Sequence, residues 1–334
     1  MKAIVLLSGG LDSTLAAYIL KEQEIELIAL NFSSPFCLCN KKGGCSHPAQ
    51  SVCEKLAIKM MTLDKTKEML QCVKKPKYGY GSNMNPCIDC RIVMLKKAKE
   101  YMQKSGASFI ITGEVLGQRP MSQKRNTLLL IEKEADLEGF VLRPLSAKIL
   151  EETIPEKKGW VDRKKLLTIV GRGRREQMKL AKEFAINDYP CPSGGCLLTD
   201  PNFCRRLKDL LKYSPDFNLN DIQLLKLGRH LRINKEYKLI VGRNEKENAA
   251  LINLRQGADL LFSPDDGIAG PIGLGRGALN QQDKELSCQI IGRYCDKQNG
   301  SAIKICVDNN GNSQKELFEV TSIIQGEQLT HLII

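Results

Sequence analysis

The 334-residue sequence contains no apolar run approaching the roughly 18 residues that a bilayer-crossing helix requires, which excludes a spanning segment of that kind and any membrane partner for it. It also lacks the small-residue cleavage site of a secretory leader. Met1 and Lys2 lead directly into an apolar, strand-like stretch and a glycine turn, so the expected compartment is the cytoplasm. No internal repeat or low-complexity tract is evident. A composition of 42% hydrophobic and 26% charged residues argues against a disordered or collagen-like chain. At roughly 150 residues per domain, the length favours two domains with room for a small third.

What the sequence has in abundance is cysteine, thirteen in all. Without an export signal, metal ligation or sulfur chemistry explains that number better than disulfides do. The chain is also basic, with a formal charge of +12. The surplus is uneven: 32 basic against 22 acidic residues through Asp200, and 18 against 16 beyond it. A basic surplus concentrated in one part suits a polyanion partner, because neutralising phosphates releases counterions. A solvated lysine-rich surface is the plain alternative.

Apolar runs at residues 3–7, 25–32 and 109–112 read as buried strands, and residues 15–22, 52–60 and 94–102 carry apolar side chains at helical spacing. The alternation predicts an α/β domain over residues 1–200, a parallel, doubly wound sheet with helices on both faces and ligands at the carboxyl ends of the strands. The charge-rich residues 151–165, the basic glycine stretch 171–175 and a helical run to Phe184 extend it. Residues 200–211 predict a hinge helix. Short strands at 237–241, 260–262 and 302–307, separated by glycine-rich turns that include 267–277, predict a smaller α+β or β-rich domain over residues 201–334.

Ser8, Gly9, Gly10, Leu11, Asp12, Ser13 and Thr14 follow the first strand and open the first helix. Glycines let the backbone approach an anion closely, while helix-start amides and the Ser8 and Ser13 hydroxyls can bind phosphate oxygens. The loop has neither the lysine nor the spacing of Gly-x-x-x-x-Gly-Lys-Ser/Thr. The plain alternative is a strand-to-helix turn capped by Asp12 and Ser13.

This Ser-Gly-Gly-x-Asp-Ser loop resembles that of the PP-loop ATP pyrophosphatases, which cleave ATP to AMP and pyrophosphate and adenylate a carbonyl or carboxyl oxygen. Thr112-Gly113-Glu114-Val115-Leu116-Gly117-Gln118, followed by Ser122-Gln123, is similar to a stretch of the ThiI-type tRNA 4-thiouridine synthetases, and Cys90-Arg91 precede it at a comparable spacing. The resemblance covers about residues 1–200. It implies the PP-loop fold, ATP and Mg2+ as ligands and tRNA as partner. It also implies nucleotide contacts from Ser8, Gly9, Gly10, Asp12, Ser13, Thr14, Gly113 and Gln118, with Asp12 among the catalytic residues. No THUMP-type RNA-binding extension precedes the loop and no rhodanese domain follows, so the hold on tRNA and the sulfur supply are expected to differ from those of ThiI.

Cys87-Ile88-Asp89-Cys90 places two thiols at the start of a helix, a spacing that can ligate one metal or cluster. Cys196 lies far away in sequence, in the glycine-flexed segment 189–196. The resemblance implies that a cysteine at this late position meets one near the C-x-x-C across the active site. Two mechanisms follow. In one, Cys87, Cys90 and Cys196 hold three irons of a 4Fe-4S cluster whose fourth iron binds the sulfide to be transferred. In the other, one cysteine carries a persulfide and a second resolves it. Three sulfurs favour the cluster. Cys191 stays open as a replacement ligand, a fourth ligand or a bystander, and buried structural cysteines or a structural zinc site is the bland reading. Cys37, Cys39, Cys45 and His47 form a second, weaker candidate zinc set. Cys53, Cys72, Cys204, Cys288, Cys295 and Cys306 read as small hydrophobes.

Lys74, Lys75, Lys77, Arg91, Lys96, Lys97, Arg119, Lys124 and Arg125 crowd the two motifs, and Tyr78 and Tyr80 offer rings for an unstacked base. Glu114, Gln118 and Arg119 follow a strand end, where substrate contacts are expected. Arg143 resembles a residue beyond the adenylate pocket. Residues 239–248 resemble the Gly-Arg-Asn stretch of the RNA-binding NFACT-R domain. The expected function is ATP-dependent tRNA sulfur transfer, forming 4-thiouridine, with sulfide or a sulfur-donor protein as donor. The alternatives are 2-thiouridine formation in the anticodon, a persulfide-based thiolase, and a PP-loop ligase acting on a small molecule. A homodimer is left open.

Overall fold

Ala3, Ile4 and Val5 are fully buried, as a strand covered on both faces demands. In the computed structural model they belong to β1 (Lys2–Leu6), the centre of a sheet completed by β2 (Glu26–Ser33), β3 (Lys59–Asp64), β4 (Phe109–Thr112) and β5 (Val141–Leu142). The order is β3-β2-β1-β4-β5 and every pairing is parallel. The structure describes all residues except 38–46, 188–194, 266, 297–301 and 310–314. They divide into two compact units, Met1–Asp200 and Pro201–Ile334.

Among the described residues, seven helices cross between or flank the strands of the first unit: α1 (Leu11–Lys21), α2 (His47–Leu56), α3 (Thr66–Lys74), α4 (Cys87–Ser105), α5 (Arg125–Glu134), α6 (Ile154–Lys157) and α7 (Arg175–Glu183). Strand alternation divides the core. Ala3, Val5 and Leu7 pack with Leu15 and Ile19 of α1, Val52 of α2 and Ala181 of α7. Ile4 and Leu6 point the other way, to Ile88, Ile92 and Leu95 of α4 and Ile131 of α5. Truncating one such side chain, as in Leu15→Ala, costs about 2–5 kcal/mol. Strand order reverses between β1 and β4, so a crevice opens beyond Leu6 and Thr112, where ligands bind in open parallel sheets.

Residues 52–60, expected as one helix, are divided. α2 starts earlier and ends at Leu56, Ala57 turns with φ +50°, and residues 59–64 form β3. As an edge strand, β3 is mostly half-buried or exposed and has no buried apolar run to announce it. α4 runs well beyond residues 94–102 and stops where Gly106 takes φ +68°.

The second unit contains α8 (Pro201–Tyr213), α9 (Leu219–Leu224), β6 (Arg229–Arg232), β7 (Tyr237–Val241), α10 (Glu245–Asn253), β8 (Leu260–Pro264), β9 (Gly273–Gly277), α11 (Gln281–Arg293), β10 (Ile303–Asn309), β11 (Glu316–Val320) and α12 (Gly326–Leu332). Its six strands form one antiparallel sheet in the order β11-β10-β8-β9-β7-β6. Cys288, Ile290 and Ile291 of α11 pack with Leu239, Val241, Phe262 and Ile305. Residues 273–277, expected within a turn, are instead strand β9. A Cβ at Gly275 would lie 2.2 Å from Tyr237 Oη and one at Gly273 would lie 2.6 Å from Ile291 Cδ1, so these glycines make room for larger neighbours. Residues 200–211, read as a hinge, fall within α8 of this unit apart from Asp200. No helix among the described residues is long and apolar enough to cross a membrane.

Candidate active site

The loop between β1 and α1 sits at the strand-order reversal. Gly9 has φ +75°, and a Cβ there would lie 2.6 Å from Pro48 Cβ and 2.7 Å from Ala49 N, so the loop packs backbone to backbone against the start of α2. The Gly10 carbonyl accepts from Thr14 N at 3.0 Å, Ser13 Oγ at 2.9 Å and Thr14 Oγ1 at 3.1 Å. Ser8 Oγ accepts from Gly10 N at 3.3 Å and lies 3.1 Å from Ser13 Oγ. With this turn fixed, the first-turn amides of α1 lack intrahelical acceptors and carry the positive end of the helix dipole, a setting for phosphate oxygens.

The loop after β4 meets this turn directly. A Cβ on Gly113 would lie 2.4 Å from Ser13 N, so only glycine fits. Gln118 Nε2 donates to Asp12 Oδ2 at 3.1 Å, and an Arg174 guanidinium nitrogen lies 3.7 Å from the same oxygen. Asp12 Oδ1 is buried with no hydrogen-bond partner among the described residues. A carboxylate oxygen left open beside a phosphate cradle suits Mg2+, which is held through one or two carboxylates plus substrate phosphates. The basic 171–175 stretch reaches the site through a backbone bridge between Leu116 and Val170, with Gly171 N donating to Leu116 O at 2.7 Å. Ser8, Gly9, Gly10, Asp12, Ser13, Thr14, Gly113 and Gln118 thus share one site. Arg174 is a neighbour that the sequence reading treated only as part of a basic run.

The thiols lie along the start of α4. Lys65, which is buried and has its ammonium 5.9 Å from the centre of the Phe32 ring, donates from Nζ to Cys90 Sγ at 3.0 Å. Gly81 abuts the neighbouring thiol: a Cβ there would lie 2.8 Å from Met121 Sδ and 3.4 Å from Cys87 Sγ. The Cys196 segment is tied down on two sides. Leu197 N donates to Phe36 O at 2.8 Å, Met84 N to Leu198 O at 3.1 Å and Asn83 Nδ2 to Thr199 O at 2.7 Å. These bonds carry Cys196 into the electrostatic neighbourhood of Cys90 and Cys37. Burial, reinforced by those two thiols and opposed by the Leu198 amide and Lys65, pushes the Cys196 thiol up to about 11. Burial also raises Cys87, with Ser122 and Arg91 opposing it.

Cys90 is within electrostatic reach of both Cys87 and Cys196, but among the described residues no three His, Cys, Asp or Glu side chains are grouped so as to hold a metal ion. In donor chemistry three thiols fit a cluster or a soft metal. Cys39, Cys45 and Cys191 lie outside the described residues. Of the candidate zinc set, Cys37 pairs its backbone with Cys196, and His47 begins α2. Cys72, read as a packing residue, is raised to about 11 by burial, with Asp89 and Cys90 adding to the rise.

Charged side chains span the gap between thiols and nucleotide loop. Glu114, almost wholly buried, pairs with Arg143 Nε at 3.1 Å and Arg91 Nε at 3.5 Å, and accepts from Thr112 Oγ1 at 3.2 Å. Burial alone would raise its carboxyl; Arg91 and Arg143 outweigh it and hold the group below its ordinary value. Arg143, buried in turn, also binds Glu132. Arg119 lies in the field of Arg91, Cys87, Glu114 and Cys196. Asp89, inside the C-x-x-C, is buried and structural: its carboxylate accepts from Lys77 N at 2.9 Å and Tyr78 N at 3.3 Å. Of the two tyrosines, Tyr78 packs against the core, whereas Tyr80 is 37% exposed with its hydroxyl bonded to Val73 O at 2.5 Å. Lys77 and Lys97 pair with Glu134 and Glu68.

Residues 1–155 match the family model described as thiamine biosynthesis protein (ThiI). Residues 228–332, in the second unit, match the model described as the NFACT protein RNA binding domain. The tRNA-specific 2-thiouridylase MnmA of Proteus mirabilis is 30% identical over 166 residues, which is 46% of this chain and 44% of that protein. The chain thus spans less than half the length of this curated relative. Among solved structures, a 4-thiouridine synthetase in complex with RNA and ATP aligns with TM-score 0.40 and 22% identity over 67% of this chain and 52% of that one. The U34-tRNA thiolase NcsA of Methanococcus maripaludis, with its [4Fe-4S] cluster, aligns with TM-score 0.33 and 18% identity over 68% and 73%.

Proposed function

We propose that this chain is an ATP-dependent tRNA sulfurtransferase that adenylates a uridine carbonyl oxygen and replaces that oxygen with sulfur. The observation that carries the reading is the Glu114–Arg143 and Glu114–Arg91 pairing, which begins one residue after Gly113, the glycine packed on the phosphate cradle, and has Arg91 in the field of Cys87. The first-turn amides of α1, with Ser8 and Ser13, bind the phosphates of ATP, and Asp12 Oδ1 accepts the accompanying Mg2+. The uridine oxygen attacks the α-phosphorus and pyrophosphate leaves. Charge building on the leaving group meets fixed amide dipoles that need no reorganisation. Sulfur then attacks the activated ring carbon and AMP departs.

Cys87, Cys90 and Cys196 would hold a 4Fe-4S cluster, which supplies an iron able to carry sulfide when bound. Arg91, paired with Glu114, and Arg119, in the field of Cys87 and Cys196, are the cations that would neutralise the adenylated base. The second unit, through its NFACT-type match, is the candidate for holding tRNA. Thiolation at C4 is the reading favoured by the Thr112 to Gln118 motif. Thiolation at C2 is the second reading, favoured by the similarity to 2-thiouridylases.

The test is incubation of anaerobically purified protein with ATP, sulfide and unmodified tRNA, followed by nucleoside analysis by mass spectrometry. An ATP-dependent thiouridine is expected, and its fragmentation and position separate C4 from C2. Absence of any thionucleoside, with iron and tRNA both bound, would overturn the proposal.

A further inference from the structure

Cys37 and Cys196 face each other across an antiparallel backbone bridge. The hydrogen bonds around it identify which kind of pair they form. Leu197 N donates to Phe36 O at 2.8 Å, so the bond runs between the residue after Cys196 and the residue before Cys37. The two cysteines exchange no backbone bond: Cys37 N donates to Ser34 O at 3.2 Å, and Cys196 O accepts from Thr199 N at 3.0 Å. This is the non-hydrogen-bonded pairing of an antiparallel ladder, in which Cα atoms approach to roughly 4.5 Å and side chains project from the same face. Disulfides require Cα separations of roughly 4.4–6.8 Å, so this pairing meets the requirement without backbone movement. Phe36, next to Cys37, and Leu198, two residues after Cys196, are fully buried and anchor the two segments. Both cysteines are free thiols, and both are partly accessible.

We propose that Cys37 and Cys196 form a reversible disulfide that takes Cys196 out of the sulfur-transfer centre. In the forward step the two thiols lose two protons and two electrons to a small disulfide such as oxidised glutathione, which becomes two thiols; a mixed disulfide on one cysteine is the intermediate. Among the described residues Cys90 has no such backbone bridge to Cys196. The pairing stands on backbone geometry alone; only its consequence for sulfur transfer rests on the function proposed above. Oxidation would leave Cys87 and Cys90 without a third thiol, and reduction would restore it.

The test uses the full chain, treated anaerobically with a chelator and equilibrated with oxidised and reduced glutathione at a series of ratios. Free thiols are then alkylated and the protein is mapped by mass spectrometry without reduction, with fragment spectra that distinguish Cys37 from Cys39 and Cys196 from Cys191. The expected result is loss of alkylated Cys196 in step with the appearance of a Cys37–Cys196 link. The link should disappear with dithiothreitol, persist in Cys90→Ser and be absent in Cys37→Ser. Cys196 that stays alkylated at every ratio, or that pairs mainly with Cys87, Cys90 or glutathione, would overturn the proposal. A parallel thiolation assay separates the two claims. Yield that falls with the linked fraction and returns on reduction supports the gate, and yield indifferent to the link refutes it. A chain that forms the link but never thiolates tRNA refutes the proposed function and leaves the pairing standing.

Discussion

Gln118 Nε2 donates to one carboxylate oxygen of Asp12 at 3.1 Å, while the other oxygen is buried with no partner among the described residues. This bond ties the loop leaving β4 to the first turn of α1 and fixes the Asp12 carboxylate beside the phosphate cradle. Gln118→Met keeps the bulk of the side chain and removes the donor. A buried polar atom left unpaired costs about 1–3 kcal/mol. The expected result is a Kd for ATP–Mg2+ raised by about tenfold, measured by calorimetric titration, with the fold retained. Unchanged affinity would mean that the bond does not orient Asp12.

Gly113 supports a prediction about packing rather than polarity. With 2.4 Å between an added Cβ and Ser13 N, Gly113→Ala forces β4 and α1 apart, at about 1–3 kcal/mol. Gly173, which has nothing within 4 Å of such a Cβ, is the control. Thermal melts should show a lowered Tm for Gly113→Ala only. Equal melts for the two variants would contradict the close approach of the two backbones.

These two residues also mark how far the sequence could be read. The parallel sheet was legible because β1, β2 and β4 are short apolar runs, and Ser8 to Thr14 announces its turn by glycine and hydroxyl chemistry. Gly113 and Gln118 were legible only through a motif, which names residues but not the atoms they touch. Lys65 carried no signal, being one lysine in a lysine-rich region; its contact with Cys90 spans a chain reversal that composition does not encode. β3 escaped because edge strands lack a buried run, and β9 because Gly-Leu-Gly-Arg-Gly reads as a turn until Tyr237 and Ile291 occupy the space its glycines leave. Cys37 was grouped with its sequence neighbours, whereas the fold sets it opposite Cys196.

Glu114 tests the charged network. Glu114→Gln leaves the buried Arg143 with Glu132 as its carboxylate partner and takes the carboxylate from Arg91, a loss of about 3–5 kcal/mol for a broken buried pair. The pH dependence has a definite sign. A carboxyl held below its ordinary value of 4.5 stabilises the folded state fully above that pH, and the stabilisation is lost as pH falls through the lowered folded value. Denaturant unfolding from pH 7 downward should therefore show a gap between wild type and Glu114→Gln that narrows only below about pH 4.5. A gap that narrows at neutral pH would assign the stabilisation to another group.

Lys238 lies on β7, almost wholly buried, where burial lowers its ammonium to about 8 from 10.5 and the attraction of Asp209 only partly offsets the loss. The unfolded chain keeps the Lys238 proton up to about 10.5, whereas the folded chain releases it near 8. Between those values the unfolded state binds more protons, so this residue makes stability rise with pH across that window. Below it, both states are charged and the folded state carries the whole net penalty, on the order of 3 kcal/mol. Lys238→Met preserves the aliphatic stem and removes the charge. At pH 7 the variant should be the more stable protein, by about 1–3 kcal/mol in urea unfolding. Its advantage should shrink from pH 8 and be gone by about pH 10.5, because the wild-type penalty is relieved there. A difference that does not vary with pH would place its cause in packing, and a less stable variant at pH 7 would mean that Asp209 and Asp221 repay the burial of the lysine in full.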